Sequence, residues 1–508
     1  MVSHPAAALA VSVSAADTGG CRGRPVRPGA VCRRAGPTAA VGDEFLSLIV
    51  YAALIASIVV IQRHGLGQAL LRVYLPMLLM LPNGFFATTP GHPSFNQAAM
   101  VPLFFFTVVR LAKTWKPTLL DILMIAFATE VGLSDYLSRG YADAQSLMLA
   151  MLTQVMAPYL VARLVIPAER LHVEVGRRWV MLTFIVALIG LFEFKFAFNP
   201  FIVYIGRLFP GQMTGWSTTF RHGLPRVAGP YAHAILAGIM MVMAYRVQRW
   251  LHDANCWEPR FKWWPGSSWS KAQIITRTLF VAALMTIARG PWIGGIVAAA
   301  ITMVGGARDR RRALGIAGTI VAIGAIGGFY LMQSYLDIKP GVKMTDSQES
   351  AMYRKILFEQ YFDRAMDHAW LGWGLTTWPK VRGMESIDNY FLLLSLQHGV
   401  SATVLLMTIM VTSSARLIIA GLHEPVGAPT PAFMFAGISV ALFVSLGTVY
   451  LGEQVLPAYF FMIGWAEGWR QNPKTLVLPG RKGQAGGAVT PVAGKPPRTR
   501  GGFRGVIA

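Results

Sequence analysis

The stretch YLDIKPGVKMTDSQESAMYRKILFEQYFDRAMDHAWLGWGLTTWPKVRGMESIDN, residues 335–389, is the longest polar interval in an otherwise apolar chain. It starts where the apolar run from Gly324 to Ser334 ends and stops where the next begins at Tyr390. Its charges run from Asp337 and Lys339 through Arg354, Glu359, Asp363 and Arg364 to Arg382, Glu385 and Asp388. Connections of this length with a local helical pattern are functional more often than they are mere links. The greasy runs on either side decide the fold, because they are long enough to need a membrane.

Of the 508 residues, 54% are hydrophobic and only 14% charged, too apolar for a soluble enzyme of this length. Runs of about 20 apolar residues reach the length of a transmembrane helix, roughly 17 to 25 residues. Lipid demands that every backbone polar group be satisfied internally. Long continuous runs meet that demand as helices, whereas barrel strands would alternate. The expected fold is an all-α polytopic membrane protein of about 11–13 spans with one long extracytoplasmic loop containing short helices. Candidate spans fall at about 44–62, 66–86, 96–114, 117–138, 142–166, 178–198, 231–250, 272–288, 291–306, 313–334, 390–418, 432–451 and 455–470. Residues 1–42, rich in Ala, Gly, Pro and Arg, read as a disordered tail outside the fold. The membrane domain is 43–470, and 471–508, rich in Gly, Pro, Lys and Arg from Gly480 on, reads as a disordered basic tail.

A formal net charge of +22 invites a nucleic-acid reading, but the excess sits in the tails and in short loops between spans. Basic residues so placed mark cytoplasmic loops and contacts with anionic lipid, so no nucleic acid is expected. The loop Arg308-Asp309-Arg310-Arg311-Arg312 is the strongest such marker, and Arg246, Arg249, Arg260, Lys262 and Lys271 form a second. Two inner flanks make 272–306 a hairpin broken near Arg289-Gly290-Pro291. As one helix it would be about 50 Å long against a core of roughly 30 Å. The hairpin tip, the 199–230 loop and the 335–389 loop then share the outer face. Alternation also puts the arginine-bearing N-terminal tail outside, against the charge rule. Cys21, Cys32 and Cys256 form no disulfide framework or metal-ligand spacing.

Three segments converge on that face. In Arg221-His222-Gly223-Leu224-Pro225-Arg226, followed by Tyr231-Ala232-His233, arginine and histidine at the entry to a span can hold an anionic headgroup; the bland alternative is snorkelling to lipid phosphate. Arg289 at an apolar hairpin tip is costly without a partner, and Gly290 and Pro291 explain the break but not the arginine. Asp388 or Asn389 directly before an apolar helix suits an N-cap, whereas Asp388 as a free carboxylate suits a general base toward a sugar hydroxyl. Met352–Met366 has the pattern of a helix lying on the surface, and Gly372-Trp373-Gly374 reads as a turn. Trp370, Trp373 and Trp378 read as ordinary interface tryptophans, with sugar stacking as the alternative. Glu130 and Glu193 read as isolated acids with structural partners. No Walker-type loop, metal triad or Gly-x-Ser-x-Gly elbow is present.

Taken in order, Arg226-Val227-Ala228-Gly229-Pro230-Tyr231-Ala232-His233, Arg289-Gly290, Gly372-Trp373-Gly374, Asp388-Asn389-Tyr390 and His398-Gly399 resemble the O-antigen ligase/polymerase superfamily over about 220–420. Ala234 stands where that family usually has proline, Ala288 where serine is common and His398 where an acid is common. Asp388 takes the place of the ligases' histidine, which favours a Wzy-type polymerase over a lipid A ligase. The resemblance implies a bacterial inner-membrane enzyme with its active site facing the periplasm and needing no metal or cofactor. It implies transfer of a glycan from undecaprenyl-diphosphate-linked oligosaccharide to a sugar hydroxyl in exopolysaccharide or O-antigen synthesis. Asp388, Arg289 and Arg226 would be catalytic; Arg221, His233, Arg354, Asn389 and Tyr390 would bind substrate. Partners would be the lipid-linked glycan, the bilayer, and chain-length regulator and export proteins. An O-antigen ligase or protein O-oligosaccharyltransferase differs only in acceptor. A lipid-linked glycan flippase predicts midplane charges and a repeated half-structure, and neither is evident.

Overall fold

The computed structural model describes residues 46–479 apart from 214–215, 263–265, 337–345, 385 and 426–430. The expected N-terminal tail with Cys21 and Cys32, the segment from Gly480, and Asp337, Lys339 and Glu385 lie outside the described residues. The remainder is helical: α1 (Leu48–His64), α2 (Leu66–Met80), α3 (Phe95–Leu111), α4 (Leu119–Arg139), α5 (Ala144–Ala168), α6 (His172–Phe196), α7 (Ala234–Asp253), α8 (Lys271–Met285), α9 (Arg289–Gly306), α10 (Arg310–Leu336), α11 (Asp346–Asp367), α12 (Tyr390–His423), α13 (Ala432–Leu446) and α14 (Val455–Gln471). Among the described residues the only named strands are a two-residue pair, Phe220–Arg221 with Leu224–Pro225.

Five of these helices are long and apolar enough to cross a membrane by length and composition, and α1, α2 and α13 are shorter apolar helices. The chain is an all-α polytopic membrane protein. The middle and C-terminal helices close on one another through small residues. A Cβ at Gly294 of α9 would lie 2.6 Å from the Ala441 carbonyl of α13, and one at Gly437 would lie 3.0 Å from that of Ala298. Such contacts suit a bilayer, where association rests on close packing more than on the hydrophobic effect. α10 instead leaves Ile316, Ile320, Ile323, Ile326 and Leu331 bare, a surface that only lipid or another apolar partner would cover.

Hydrogen bonds sort the helix ends into two sets. At one end Glu169 accepts from the Gly67 N–H (2.9 Å), Arg178 donates to the Leu71 carbonyl (3.1 Å) and Arg416 pairs with Glu467 (3.4 Å). There too Arg310 donates to the Gly421 carbonyl (2.8 Å). This end carries the basic turns around Arg177, Arg178, Lys271 and Arg308–Arg312. At the other end Gln454 donates to the Leu81 and Pro230 carbonyls (2.8 Å each), and Val227 N–H to the Met285 carbonyl (3.2 Å). The path from α1 alternates between these ends. It puts the start of α1 with the non-basic set, where Ser47 Oγ meets Thr88 Oγ1 at 3.0 Å.

The hairpin break differs in detail from expectation. It lies at Thr286–Ala288, with Ile287 at φ 46°, and α9 already starts at Arg289. Pro291 therefore sits in the first turn of the next helix, where its missing N–H has no intrahelical partner to lose. Beyond α14 the chain does not leave the bundle at once. Thr475 Oγ1 meets His172 Nε2 at 2.9 Å, and Leu476 and Leu478 pack on the core.

Candidate functional site

The two-residue strands form a hairpin whose turn, His222-Gly223, has φ 51° and 75°, the left-handed values a tight two-residue turn requires. Arg226 N–H donates to the Thr219 carbonyl at 2.9 Å and closes it. The hairpin then leans on the C-terminal end of α8, whose last carbonyls lack helical partners. Arg226 Nε donates to the Thr286 carbonyl (3.0 Å) and Arg221 Nη1 to that of Ile287 (3.3 Å). Cations are favoured at such an end. Arg226 is buried and its Nη2 has no hydrogen-bond partner. Burial first, and the neighbouring Arg221 charge second, lower its pKa to about 10.

Behind Arg226 stands Glu193, fully buried in the last turns of α6. Its Oε2 accepts from the N–H groups of Ala228 (3.3 Å) and Gly229 (2.8 Å), and its Oε1 from Asn199 Nδ2 (3.0 Å). Asn199 also donates to the Gly229 carbonyl at 2.8 Å. The arginine therefore extends from a segment clamped from behind by one carboxylate and one amide.

Arg289 is the first residue of α9 and is exposed. Arg221 has its pKa lowered by burial first and then by the charges of Arg289 and Arg354. Three guanidiniums from three separate segments thus share one field, with Arg226 beside Arg221. Arg354 comes from α11, which lies across the end of the bundle and packs Leu357, Tyr361 and Ala365 against Trp378, Ile387, Leu392, Leu393 and Leu396. Tyr353 donates to the Ser386 carbonyl (2.8 Å) and Tyr361 to that of Met384 (2.9 Å). Those clips bring Asp388 Oδ2 to 4.0 Å from Arg354 Nη2. Burial pushes the Asp388 carboxyl up and Arg354 draws it back, although half of the side chain stays exposed.

Asp388 does not cap α12. Its neighbour does: Asn389 Oδ1 accepts from the Leu392 N–H at 3.2 Å. The substrate-binding residue expected at 389 is thus engaged in starting a helix, and Tyr390, expected beside it, is buried in that helix's first turn. His233 likewise caps α7, its Nδ1 accepting from the Ile235 N–H at 3.1 Å.

The Gly372-Trp373-Gly374 turn and His398-Gly399 prove to be one joint. Both turn glycines have positive φ, and α12 breaks at Gly399 (φ 91°). A Cβ at Gly372 would lie 2.5 Å from the Gly399 nitrogen. Trp373 N–H donates to the Leu396 carbonyl (2.8 Å), and Asp135 accepts from Leu375 N–H (3.0 Å). This joint fixes the long loop to the bundle, and Glu130 joins it through Ser401 Oγ at 2.6 Å. Trp378 is buried and Trp373 lies tilted against His368, so of the three tryptophans only Trp370 is largely bare.

A fourth segment was not singled out by the sequence. Residues 447–454, between α13 and α14, put Thr448 Oγ1 2.5 Å from where a Cβ on Gly290 would lie, beside Arg289. The same segment carries Tyr450, Glu453 and Gln454. Its one sequence signal is an acid, Glu453, set alone between two apolar runs.

Fold and site together define a helical membrane protein with arginines and a carboxylate gathered at the end opposite its basic turns. Residues 274–407 match the family model described as O-antigen ligase, which supports a likeness of this segment to the O-antigen ligase-like superfamily. The matched range contains Arg289, Arg354, Asp388 and the 372–399 joint, while Arg221 and Arg226 precede it and join it through hydrogen bonds to Thr286 and Ile287. Comparison with curated proteins finds no match.

Proposed function

We propose that this protein transfers glycan from an undecaprenyl-diphosphate carrier to a sugar hydroxyl at the extracytoplasmic face of the bacterial inner membrane, extending an exopolysaccharide or O-antigen chain. The observation that carries this is the convergence of Arg221, Arg226, Arg289 and Arg354 on one patch beside Asp388. Diphosphate leaves with its negative charge growing, and guanidiniums suit bidentate contact with phosphate oxygens. Fixed donors aimed at such charge contribute about 2.7–4 kcal/mol each in comparable oxyanion sites. The open Nη2 of Arg226 is preorganised for this. Asp388, released from capping, accepts the proton of the attacking hydroxyl as its oxygen bonds the anomeric carbon and the carbon–oxygen bond to diphosphate breaks. Basic turns at the opposite end agree with that end being cytoplasmic.

The test is incubation of purified protein with a lipid-linked repeat unit. Longer lipid-linked chains support polymerisation. Product only on added lipid A or on a protein acceptor redirects the reading to a ligase or an O-oligosaccharyltransferase, and no transfer at all refutes it.

A further inference from the structure

Among the described residues the fully buried acids all have partners, whereas the half-buried Glu453 has none. Asp121 pairs with Arg163, Asp135 with Arg139, and Glu467 with Arg416 and Arg470. Glu193 takes two backbone N–H groups, and the half-buried Glu130 takes a serine hydroxyl. Glu453 has no hydrogen bond or ion pair among the described residues, although it is half-buried in the segment that joins α13 to α14. Its backbone is left-handed (φ 51°), a costly state for a residue other than glycine, and one that accompanies functional positions when the surroundings enforce it.

Its neighbours tie this segment to the site at three points. Five residues before it, Thr448 abuts Gly290, next to Arg289. One residue after it, Gln454 holds the Pro230 carbonyl, four residues from Arg226. Tyr450 packs on the cluster containing Ile387, the residue before Asp388, and the Glu453 charge reaches the Tyr450 hydroxyl. Burial, with no cation to oppose it, pushes the Glu453 carboxyl up to about 7. A phosphate would be repelled by this group or left without a counter-charge. A neutral hydroxyl is suited to it, because a carboxyl near its midpoint both donates and accepts hydrogen bonds.

We propose that Glu453 is a sugar-binding residue of the acceptor half of the site, holding hydroxyls of the incoming acceptor glycan opposite the arginines that hold the donor's diphosphate. This rests on the transfer reaction proposed above. No bond changes at Glu453; it orients the acceptor while Asp388 takes the proton.

The experiment measures transfer by purified wild-type, Glu453→Ala and Glu453→Gln proteins. The lipid-linked repeat unit serves as donor and the free repeat-unit oligosaccharide as acceptor, each varied at saturating amounts of the other. The expected result for Glu453→Ala is an acceptor KM raised tenfold or more, with donor KM and kcat within about threefold of wild type. Glu453→Gln, which keeps hydrogen-bonding capacity, should recover part of the acceptor KM. An unchanged acceptor KM, an equal rise in donor KM, or a loss confined to kcat would overturn the proposal. So would failure of both variants to accumulate in the membrane, because the residue would then be structural. Wild-type protein without transfer activity would instead sink the reaction beneath it, which separates the two failures.

Discussion

Asp388 and Asn389 are neighbours with opposite expected phenotypes. Asn389 Oδ1 is the cap of α12, accepting from Leu392 N–H at 3.2 Å, so Asn389→Ala should cost about 0.5–2 kcal/mol of local stability. Asp388 contributes only a pair with Arg354 at 4.0 Å between side chains 50% and 40% exposed. Such a pair is screened by solvent and contributes about 0–1 kcal/mol, so Asp388→Asn should leave stability close to wild type. Activity should divide the other way. Asparagine keeps the shape of aspartate and accepts no proton, so turnover should fall roughly 100-fold if Asp388 is the general base. Hydrogen exchange at the amides following Asn389 reads the first effect, because fraying at the start of α12 speeds it locally. Polymer yield per unit of membrane-inserted protein reads the second. Wild-type yield from Asp388→Asn would refute the carboxylate's role. Exchange accelerated equally in both variants would refute the division of labour.

Arg289→Ala should abolish transfer at normal membrane abundance, and Arg289→Lys should recover only part, because an ammonium lacks the guanidinium fork; full activity in the alanine variant, measured on the same lipid-linked donor, returns this arginine to lipid snorkelling. Glu193→Ala removes the acceptor for two buried N–H groups and the Asn199 amide. At about 1–3 kcal/mol for each stranded donor it should lower thermal stability measurably and take activity with it. Cysteines placed at Asp363 and at Asp309 should label from opposite sides of the membrane with an impermeant maleimide; labelling from the same side would contradict the two-ended arrangement.

The spans were legible because apolar length needs no tertiary context, and Tyr390, Ala432 and Val455 begin helices within a residue of expectation. The convergence of Arg226 and Arg289 was legible through the basic turns, which set which loops share a face. The tip of the α8–α9 hairpin lies a few residues before the expected Arg289-Gly290-Pro291, because this proline occupies the first turn of a helix and does not break one. His233 and Asn389 looked like ligands, since a capping side chain and a binding side chain are the same letters before the same apolar run. Glu193 was visible only as an isolated acid. Its partners are backbone N–H groups of Ala228 and Gly229, which no side-chain pattern advertises. Glu453 had no pattern at all, because its meaning comes from Thr448, Tyr450 and Gln454 reaching three different walls.

Arginine occurs at both ends of the bundle, and Arg310 and Arg226 use their donors differently. Arg310, buried at the basic end, donates from Nε to the Gly305 carbonyl, from Nη1 to those of Gly421 and Glu424, and from Nη2 to that of Pro425. It closes the C-terminal ends of α9 and α12 together, so its charge offsets two helix dipoles and no nitrogen is left over for a ligand. Part of the charge that marks this end as basic is therefore structural mortar. Arg226 is buried to a similar degree, but only its Nε is engaged and its Nη2 faces no partner, with no carboxylate paired to the group. Leaving a buried donor unmet costs about 1–3 kcal/mol, more for a charged group, and no protein group among the described residues recovers that cost. An anionic oxygen would recover it. Under the proposed reaction this nitrogen would meet a phosphate oxygen, and Arg310 shows what the same residue looks like when a fold uses it for itself.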